Sequence, residues 1–250
     1  MSNVNLFNGA TITIEGTETS YHTYDDWGLY ITNTDCIGEP IQDTHYVEVM
    51  GANRKVDLSE ALTGHITYKS RAINIELAGV KNKVNWDVII SDFRNKINGR
   101  VCRITFDNDI THFWRGRVSI KDFSSIMRLG TFKISIPEAD PYKYNQLSSI
   151  EPWKWNPFNF LTDIVTNPEP IDIDGTHIMT IPSGNMYVAP TFICTVADGD
   201  SLTVTDGRTT VSLRNGTNYD PRIRVNGFEE VTLTFEGKGS VKVDYRGGSL

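Results

Sequence analysis

Residues 72–77, AINIEL, and residues 131–136, TFKISI, decide the fold class of this sequence. In both stretches apolar residues alternate with polar ones, so an extended chain would have one apolar and one polar face. This period of two is typical of a β-strand with one buried face. Similar segments recur at residues 11–15, 29–32, 46–50, 101–106 and 113–120. The first half is therefore predicted to be mostly strand and turn.

One segment, residues 85–98, has helical spacing instead. Its apolar residues recur three and four positions apart and form one stripe: Trp86, Ile89, Ile90, Phe93 and Ile97. Asn85 can cap the start, and Asn98-Gly99 can end the helix in a left-handed conformation. We predict a single α-helix near residues 85–98.

The composition changes after the first half, where six prolines fall between residues 137 and 170, with Trp153 and Trp155 among them. Proline removes N–H donors that a strand ladder needs, so this density predicts a connector. We accordingly place an N-terminal β domain at residues 1–145, a connector at 146–170 and a C-terminal β domain at 171–250.

Short alternating segments return in the C-terminal domain, at residues 192–196, 201–205, 210–213, 231–235 and 240–245. Dipeptides that suit tight turns punctuate them: Asp198-Gly199, Asp206-Gly207, Asn215-Gly216, Asn226-Gly227 and Glu236-Gly237. Gly237-Lys238-Gly239 is interpreted as a hairpin turn, because the upstream glycine and downstream Ser/Thr of a phosphate loop are missing. This rhythm predicts a second β-sandwich.

The net charge, the hydropathy and the cysteines of the chain exclude some classes of function. A formal net charge of −7 argues against a nucleic-acid-binding surface, since such binding depends on Lys and Arg that neutralise phosphates. No apolar run of about 18 residues is present, and the first twenty residues lack the pattern of a secretory leader, so we expect a cytoplasmic site of synthesis. The cysteines, Cys36, Cys102 and Cys194, are far apart in sequence and are expected to be reduced and buried.

Residues that could carry chemistry are scattered. The histidines, at positions 22, 45, 65, 112 and 177, are isolated in sequence. The acidic pairs Asp25-Asp26 and Glu229-Glu230 are expected on strands, where neighbours point to opposite faces. Asp172, Asp174 and Gly175 match only part of a calcium loop, and Asp198 and Asp200 are equally ambiguous. The sequon at Asn215 is expected to be a type I′ turn. We assign no catalytic, metal-binding or cofactor-binding residue and no cofactor.

A basic cluster lies on the predicted strands, at Arg115-Gly116-Arg117 with Arg103 and Lys121 nearby. Two interpretations are open for it. It could be a docking face for an acidic partner, or a set of strand positions that face solvent.

A longer string of features resembles the siphophage distal tail protein family. It comprises Trp27-Gly28-Leu29, Pro40, VEVMG at 47–51, DLSEALTG at 57–64, Tyr68, Arg71-Ala72-Ile73, FKISI at 132–136 and ADPYKY at 139–144. The order and spacing carry the resemblance, which is strongest over residues 25–145 and weaker up to the final strands. This chain has Met50-Gly51-Ala52-Asn53 where the family commonly has a Pro-Gly turn.

The resemblance implies an N-terminal β-sandwich that assembles into a hexameric ring, followed by a galectin-like C-terminal β-sandwich. The implied partners are the tail tube protein, the tail-associated hub protein and, as a further candidate, a receptor-binding protein. The implied location is the virion tail tip, or baseplate, after synthesis in the host bacterial cytoplasm. DNA would pass through the ring without sequence-specific binding, and no membrane insertion is implied. Such a subunit binds and does no chemistry.

Two other function classes are weighed against this one. The C-terminal sandwich could be a carbohydrate-binding module that recognises host cell-surface glycans through exposed aromatic rings. A glycan hydrolase would need a pair of cooperating carboxylates, which the sequence does not indicate.

Overall fold

The computed structural model describes residues 9–61, 63–80, 83–126, 128–152 and 169–250. The chain divides into two compact units, Met1–Pro141 and Tyr142–Leu250, which we call unit 1 and unit 2. Most of the connector predicted at residues 146–170, with Trp153 and Trp155, lies outside the described residues. Both units are built mainly of β-strands.

Unit 1 contains two helices and ten strands within its described residues. In chain order these are β1 (Ala10–Ile14), β2 (Ser20–His22), α1 (Thr23–Trp27), β3 (Tyr30–Ile31), β4 (Tyr46–Val47), β5 (Val56–Asp57), β6 (Arg71–Val80), α2 (Lys83–Ile97), β7 (Val101–Phe106), β8 (Asp109–Arg117), β9 (Ser119–Ile126) and β10 (Leu129–Ala139). The segments predicted at 72–77 and 131–136 are confirmed as parts of β6 and β10.

Two antiparallel sheets form the sandwich of unit 1. One has the order β8-β7-β1-β2, and the other has the order β3-β6-β10-β9. Ile12 and Ile104 come from the first sheet, Ile75 and Ile134 come from the second, and all four belong to one fully buried core. Burial of such side chains stabilises the fold by about 1.5–3 kcal/mol each.

The helix α2 covers one part of this core with the predicted apolar stripe. The Phe93 ring packs edge-on against Phe132 of β10, with 4.9 Å between the ring centroids. The helix begins at Lys83, so the prediction that Asn85 is the N-cap is wrong, and Asn85 lies inside the first turn. Gly99, with φ of 78°, ends the helix in the left-handed conformation as predicted.

A second, one-turn helix, α1, was not predicted. The side chain of His22 is its N-cap and accepts a hydrogen bond from the Asp25 N–H. Gly28 ends it with φ of 66°. Five residues are too few to show a helical period, which is why periodicity alone does not reveal this element.

Unit 2 contains eight strands within its described residues. They are β11 (Lys143–Asn145), β12 (Ile171–Ile181), β13 (Thr191–Thr195), β14 (Leu202–Thr205), β15 (Thr210–Leu213), β16 (Gly216–Tyr219), β17 (Val231–Asp244) and β18 (Gly248–Ser249). β11 pairs with β18, and the others form a sheet of order β15-β14-β17-β13-β16 with β12 on the remaining edge of β17. Their buried side chains form a second core, which includes Phe192, Val204 and Phe235.

β17 corrects two predictions for unit 2. The segments predicted at 231–235 and 240–245 are one continuous strand, so Gly237-Lys238-Gly239 and Glu236-Gly237 are not turns. The first part of β17 pairs with β14 and the last part with β13, so the strand passes from one neighbour to the other at these glycines. The φ values of 124° at Gly237 and 156° at Gly239 permit this passage.

The turn predictions around residues 206 and 215 had different outcomes. Asp206-Gly207 lies in the hairpin between β14 and β15, as predicted. Asn215-Gly216 joins β15 to β16, but β15 pairs with β14 whereas β16 pairs with β13. The prediction of a type I′ turn at the Asn215 sequon is wrong, because that turn needs a positive φ at both central residues, and of Asn215 and Gly216 only Gly216 has one, at 99°.

Candidate assembly surfaces

A hairpin between β3 and β6 carries the most exposed apolar side chain of the described part of unit 1 and five other exposed apolar side chains. Residues 41–58, which we call the arm, contain the antiparallel pair β4 and β5. Met50, at the tip, is fully exposed, with a relative accessibility of 102%. The other large apolar side chains exposed on the arm are Ile41, Tyr46, Val49, Val56 and Leu58. Exposed apolar groups concentrated in this way are typical of a binding surface.

Hydrogen bonds hold the arm in one shape near its base. The carboxylate of Asp57 accepts bonds from the Ser59 Oγ–H, at 2.5 Å, and from the Ser59 N–H, at 2.9 Å. These bonds lower the pKa of Asp57 below its ordinary 3.8, with the bond from the Ser59 hydroxyl as the largest cause. The His45 N–H donates to Ser59 Oγ at 2.8 Å, which ties the two sides of the hairpin together. The apolar side chains are therefore presented by a structured element.

A second exposed apolar cluster lies at one end of the β3-β6-β10-β9 sheet. Leu129 of β10 is directly opposite Val80 of β6 on one side and Ile126 of β9 on the other. All three side chains are exposed, and Ile126 has a relative accessibility of 72%. We call Val80, Ile126 and Leu129 the sheet-end row. β9, which contributes Ile126, is an edge strand of eight residues. Exposed edge strands offer unpaired backbone groups to another chain.

The face of this sheet that is turned away from the core is polar beyond the row. Thr131 lies between Ala78 and Ser124, and Lys133 lies between Glu76 and Lys121. The Lys133 ammonium is 3.5 Å from the Glu76 carboxylate. Short side chains, one ion pair and a further lysine, Lys121, therefore occupy these positions.

Two of the four basic residues of the predicted cluster, Arg103 and Arg115, form ion pairs with carboxylates of unit 1. Arg115 donates to the Glu15 carboxylate from Nε and Nη2, at 3.0 and 2.9 Å, and the bonds raise the pKa of Arg115. Arg103 pairs with Glu18. Arg117 donates to the Gly99 carbonyl at 2.6 Å. These contacts favour the structural interpretation of the cluster over a docking face for an acidic partner.

Two histidines, His22 and His112, have carboxylate partners close by. His22 Nε2 lies 3.1 Å from an Asp107 oxygen, and its Nδ1 accepts from the Asp25 N–H. His112 Nδ1 lies 2.8 Å from Asp109 Oδ1. Asp25 and Asp26 lie in α1, so the prediction that this pair is on a strand is wrong. Over the described ranges, no group of three or more His, Cys, Asp or Glu is arranged to hold a metal ion.

The acidic residues of unit 2 that match part of a calcium loop in sequence are exposed and divided between a strand and a turn. Asp172, Asp174 and Gly175 lie within β12, where both carboxylates are exposed and two residues apart on a strand, so the partial calcium loop is not formed. Asp198 and Asp200 are exposed in a turn. Glu229 and Glu230 are also exposed, but they lie outside the strands, contrary to the prediction.

The cysteines are buried free thiols, as predicted. Burial raises the pKa of Cys102 and of Cys194 to about 11. Thiols with such a pKa are almost wholly protonated at neutral pH and are weak nucleophiles.

An outward face of unit 2 carries an exposed aromatic ring. Tyr219 of β16 has a relative accessibility of 64% and lies opposite Thr191 of β13. Thr191 is in turn opposite Asp244 of β17, and the next row contains Thr217, Ile193 and Lys242. The face therefore combines an aromatic ring with hydroxyl and charged groups.

The alternation of apolar and polar residues in the sequence does not distinguish the exposed residues of the arm and the sheet-end row from the buried residues of core strands. Val47 and Val49 alternate with charged residues as buried strand residues do, yet Val49 is exposed. The signal that could have separated them is the high density of charge at residues 48–60, which is unusual for a strand with a buried face.

These features define a class of mainly β proteins with two compact units, a helix packed on the first sandwich and exposed apolar surfaces on the same unit. Within the described residues, no helix is both long enough and apolar enough to cross a membrane. The chain has the fold of Dit (gp 19.1) of phage SPP1, whose crystal structure is described as a paradigm of the hub adsorption apparatus in phages that infect Gram-positive bacteria. The TM-score is 0.55 and the identity is 11%, over 96% of this chain and 99% of that chain.

The similarity to SPP1 Dit is seen in the structure and is not accompanied by a match in sequence comparisons. No family model and no curated protein matches the chain. At 11% identity the likeness establishes a shared fold over nearly the whole chain.

Proposed function

We propose that this protein is a structural subunit of a phage tail tip. In this role six copies form a ring that joins the tail tube to the tail-associated hub and adsorption apparatus, and DNA passes through the ring. The observation that carries the proposal is the likeness of fold to SPP1 Dit, which extends over both units. The function requires binding to other proteins and no catalytic chemistry.

Two properties of the chain support an assembling subunit. Unit 1 exposes two apolar clusters, the arm and the sheet-end row, which are unfavourable in contact with water unless a partner covers them. The net charge of −7 also fits a channel that does not retain DNA, because phosphates are bound mainly by Lys and Arg.

The ring can be tested by measuring the mass of the purified protein with light scattering at several protein and salt concentrations. We expect a species with a mass near six times 28.1 kDa, and its fraction of the total protein should rise with protein concentration. Negative-stain images of that species should show six-fold symmetry. A chain that remains at 28.1 kDa at every concentration would contradict the self-assembling ring.

A second candidate function, glycan binding by unit 2, is favoured by the exposed ring of Tyr219 and the hydroxyl and charged groups beside it. Saccharides commonly stack their C–H face on an aromatic ring and hydrogen-bond to polar neighbours. Calorimetric titration with purified bacterial cell-wall polysaccharide tests this function. We expect binding that is lost in Tyr219→Ala and retained in Phe228→Ala, which removes another exposed ring of unit 2. The absence of binding by the unmodified protein would exclude that polysaccharide.

A further inference from the structure

We propose that the arm of one subunit docks on the sheet-end row of a second copy of the same chain. The inference deepens the proposed ring and rests on it, because it names the two surfaces that would join neighbouring subunits. Its partner is therefore this protein itself.

The first argument is the distribution of exposed apolar side chains. Twelve large apolar residues are exposed in the described part of unit 1. Six of them lie on the arm and three form the sheet-end row. The remaining three, Tyr24, Val88 and Ile110, lie outside both surfaces. Because the free energy falls when exposed apolar groups are removed from water, burial of these two clusters would stabilise a complex more than burial of the other exposed apolar residues of unit 1.

The second argument concerns symmetry. A closed ring requires a heterologous contact, in which one surface of each subunit meets a different surface of the next. The arm and the row supply two different surfaces on one unit. Both are exposed in the same chain, so the arm does not cover the row of its own subunit. An interface of this kind leaves neither cluster exposed once the ring is closed.

The third argument is the charge beside each cluster. The arm has three carboxylates, Asp43, Glu48 and Asp57, against Arg54 and Lys55, so its formal charge is −1, and Asp57 lies between the exposed Val56 and Leu58. Arg128 directly precedes Leu129 of the row and is exposed. Opposite charges at the rims of two apolar surfaces favour their correct association and disfavour contacts between like surfaces.

Two variants test the arm and the sheet-end row one at a time. Met50→Asp places a charge at the tip of the arm, and Ile126→Asp places one in the row. Both residues are exposed, so both variants should keep the thermal unfolding of the unmodified protein. Val88→Asp, on an exposed position of α2 outside both surfaces, is the matched control. Light scattering should show a ring for Val88→Asp and a single subunit of 28.1 kDa for each of the other two variants.

A mixture of the two defective variants gives the sharper test. The Ile126→Asp subunit keeps its arm, and the Met50→Asp subunit keeps its row, so one intact contact remains between them. An equimolar mixture should therefore form a heterodimer of twice 28.1 kDa and no larger species. Neither variant alone should dimerise.

The outcomes distinguish this inference from the ring itself. If the unmodified protein forms a ring and either Met50→Asp or Ile126→Asp still forms one, the docking is wrong and the ring stands. If both variants are monomers but their mixture does not form the heterodimer, the two surfaces do not bind each other and the docking is also overturned. A monomeric unmodified protein contradicts both the ring and the docking.

Discussion

Gly130 of β10 lies directly against the ring of Trp86 from α2. A Cβ atom at Gly130 would lie 2.5 Å from the Trp86 ring, which is itself buried and donates its indole N–H to the Arg128 carbonyl at 3.3 Å. The ring therefore fixes the distance between helix and sheet, and no larger residue fits at position 130.

Gly130→Ala should destabilise unit 1 by about 1–3 kcal/mol, because the added methyl group must displace the Trp86 ring or the strand. Urea unfolding followed by tryptophan fluorescence measures the change. Thr131→Ala, at the next and exposed position, is the control and should cost less than about 1 kcal/mol. Equal effects of the two changes would show that the close approach to Trp86 has no energetic importance.

Asp92 connects the two helices of unit 1. Its carboxylate accepts bonds from Lys96 Nζ, at 2.8 Å, and from the indole N–H of Trp27, at 3.0 Å. These bonds lower the pKa of Asp92 below the ordinary 3.8, with Lys96 as the larger cause. The Lys96 ammonium also lies 4.9 Å from the Tyr21 ring centroid.

A carboxyl group whose pKa is lower in the folded state stabilises the fold above its unfolded pKa of 3.8, and this stabilisation is lost as the pH falls through the folded pKa. Asp92→Asn should therefore lower stability at pH 6. Because the group is partly exposed, we expect a loss of no more than about 1 kcal/mol. The difference from the unmodified protein should shrink as the pH falls below 3.8. Thermal unfolding over a series of pH values tests this, and a difference that stays constant as the pH falls would assign the effect to packing.

The elements that the sequence predicted correctly are those whose pattern depends only on residues close together in the chain. The apolar alternation of β6 and β10 and the stripe of α2 each depend on residues close in sequence, and all three elements are found. The pattern Gly237-Lys238-Gly239 is compatible with two structures. It can form a tight turn, or it can be part of a strand that passes close to another chain segment. The contact that decides between the two is with Ser201, 36 residues earlier, and no local pattern contains it.

The candidate surfaces were harder to predict for the same reason. Val80, Ile126 and Leu129 become neighbours only through the pairing of β6, β10 and β9. Apolar residues in alternating segments are normally predicted to be buried, and the exposure of the row depends on where each strand ends. Sequence patterns identify the strands, whereas the registers that assemble the row are set by tertiary structure.

Gly237→Ala should severely destabilise unit 2. A Cβ atom there would lie 1.9 Å from the Ser201 carbonyl oxygen, and φ of 124° is strained for any residue with a side chain. We expect a loss above about 2 kcal/mol. Lys238→Ala, at the exposed position between the two glycines, is the matched control and should stay within about 0.5 kcal/mol. Calorimetry measures both, and a mild effect at Gly237 would mean that β17 can move away from Ser201.

Across the described parts of the molecule, the buried apolar residues form two hydrophobic cores that share no residue. We therefore expect two unfolding transitions in a calorimetric scan. Gly130→Ala should move only the transition of unit 1, and Gly237→Ala only that of unit 2, so each variant is the control for the other. A single transition that both variants shift equally would show that the units unfold as one.

The position of β17 in the chain has a consequence for synthesis on the ribosome. β17 is the common partner of β12, β13 and β14, and it follows all three in the sequence. While the nascent chain is elongating, these three strands leave the exit tunnel without the strand that joins them. Unit 1 has by then all the strands of its two sheets, since β10 ends at Ala139. A chain that is released before Val231 has been added should therefore have a first unit that resists protease and a second unit that is degraded.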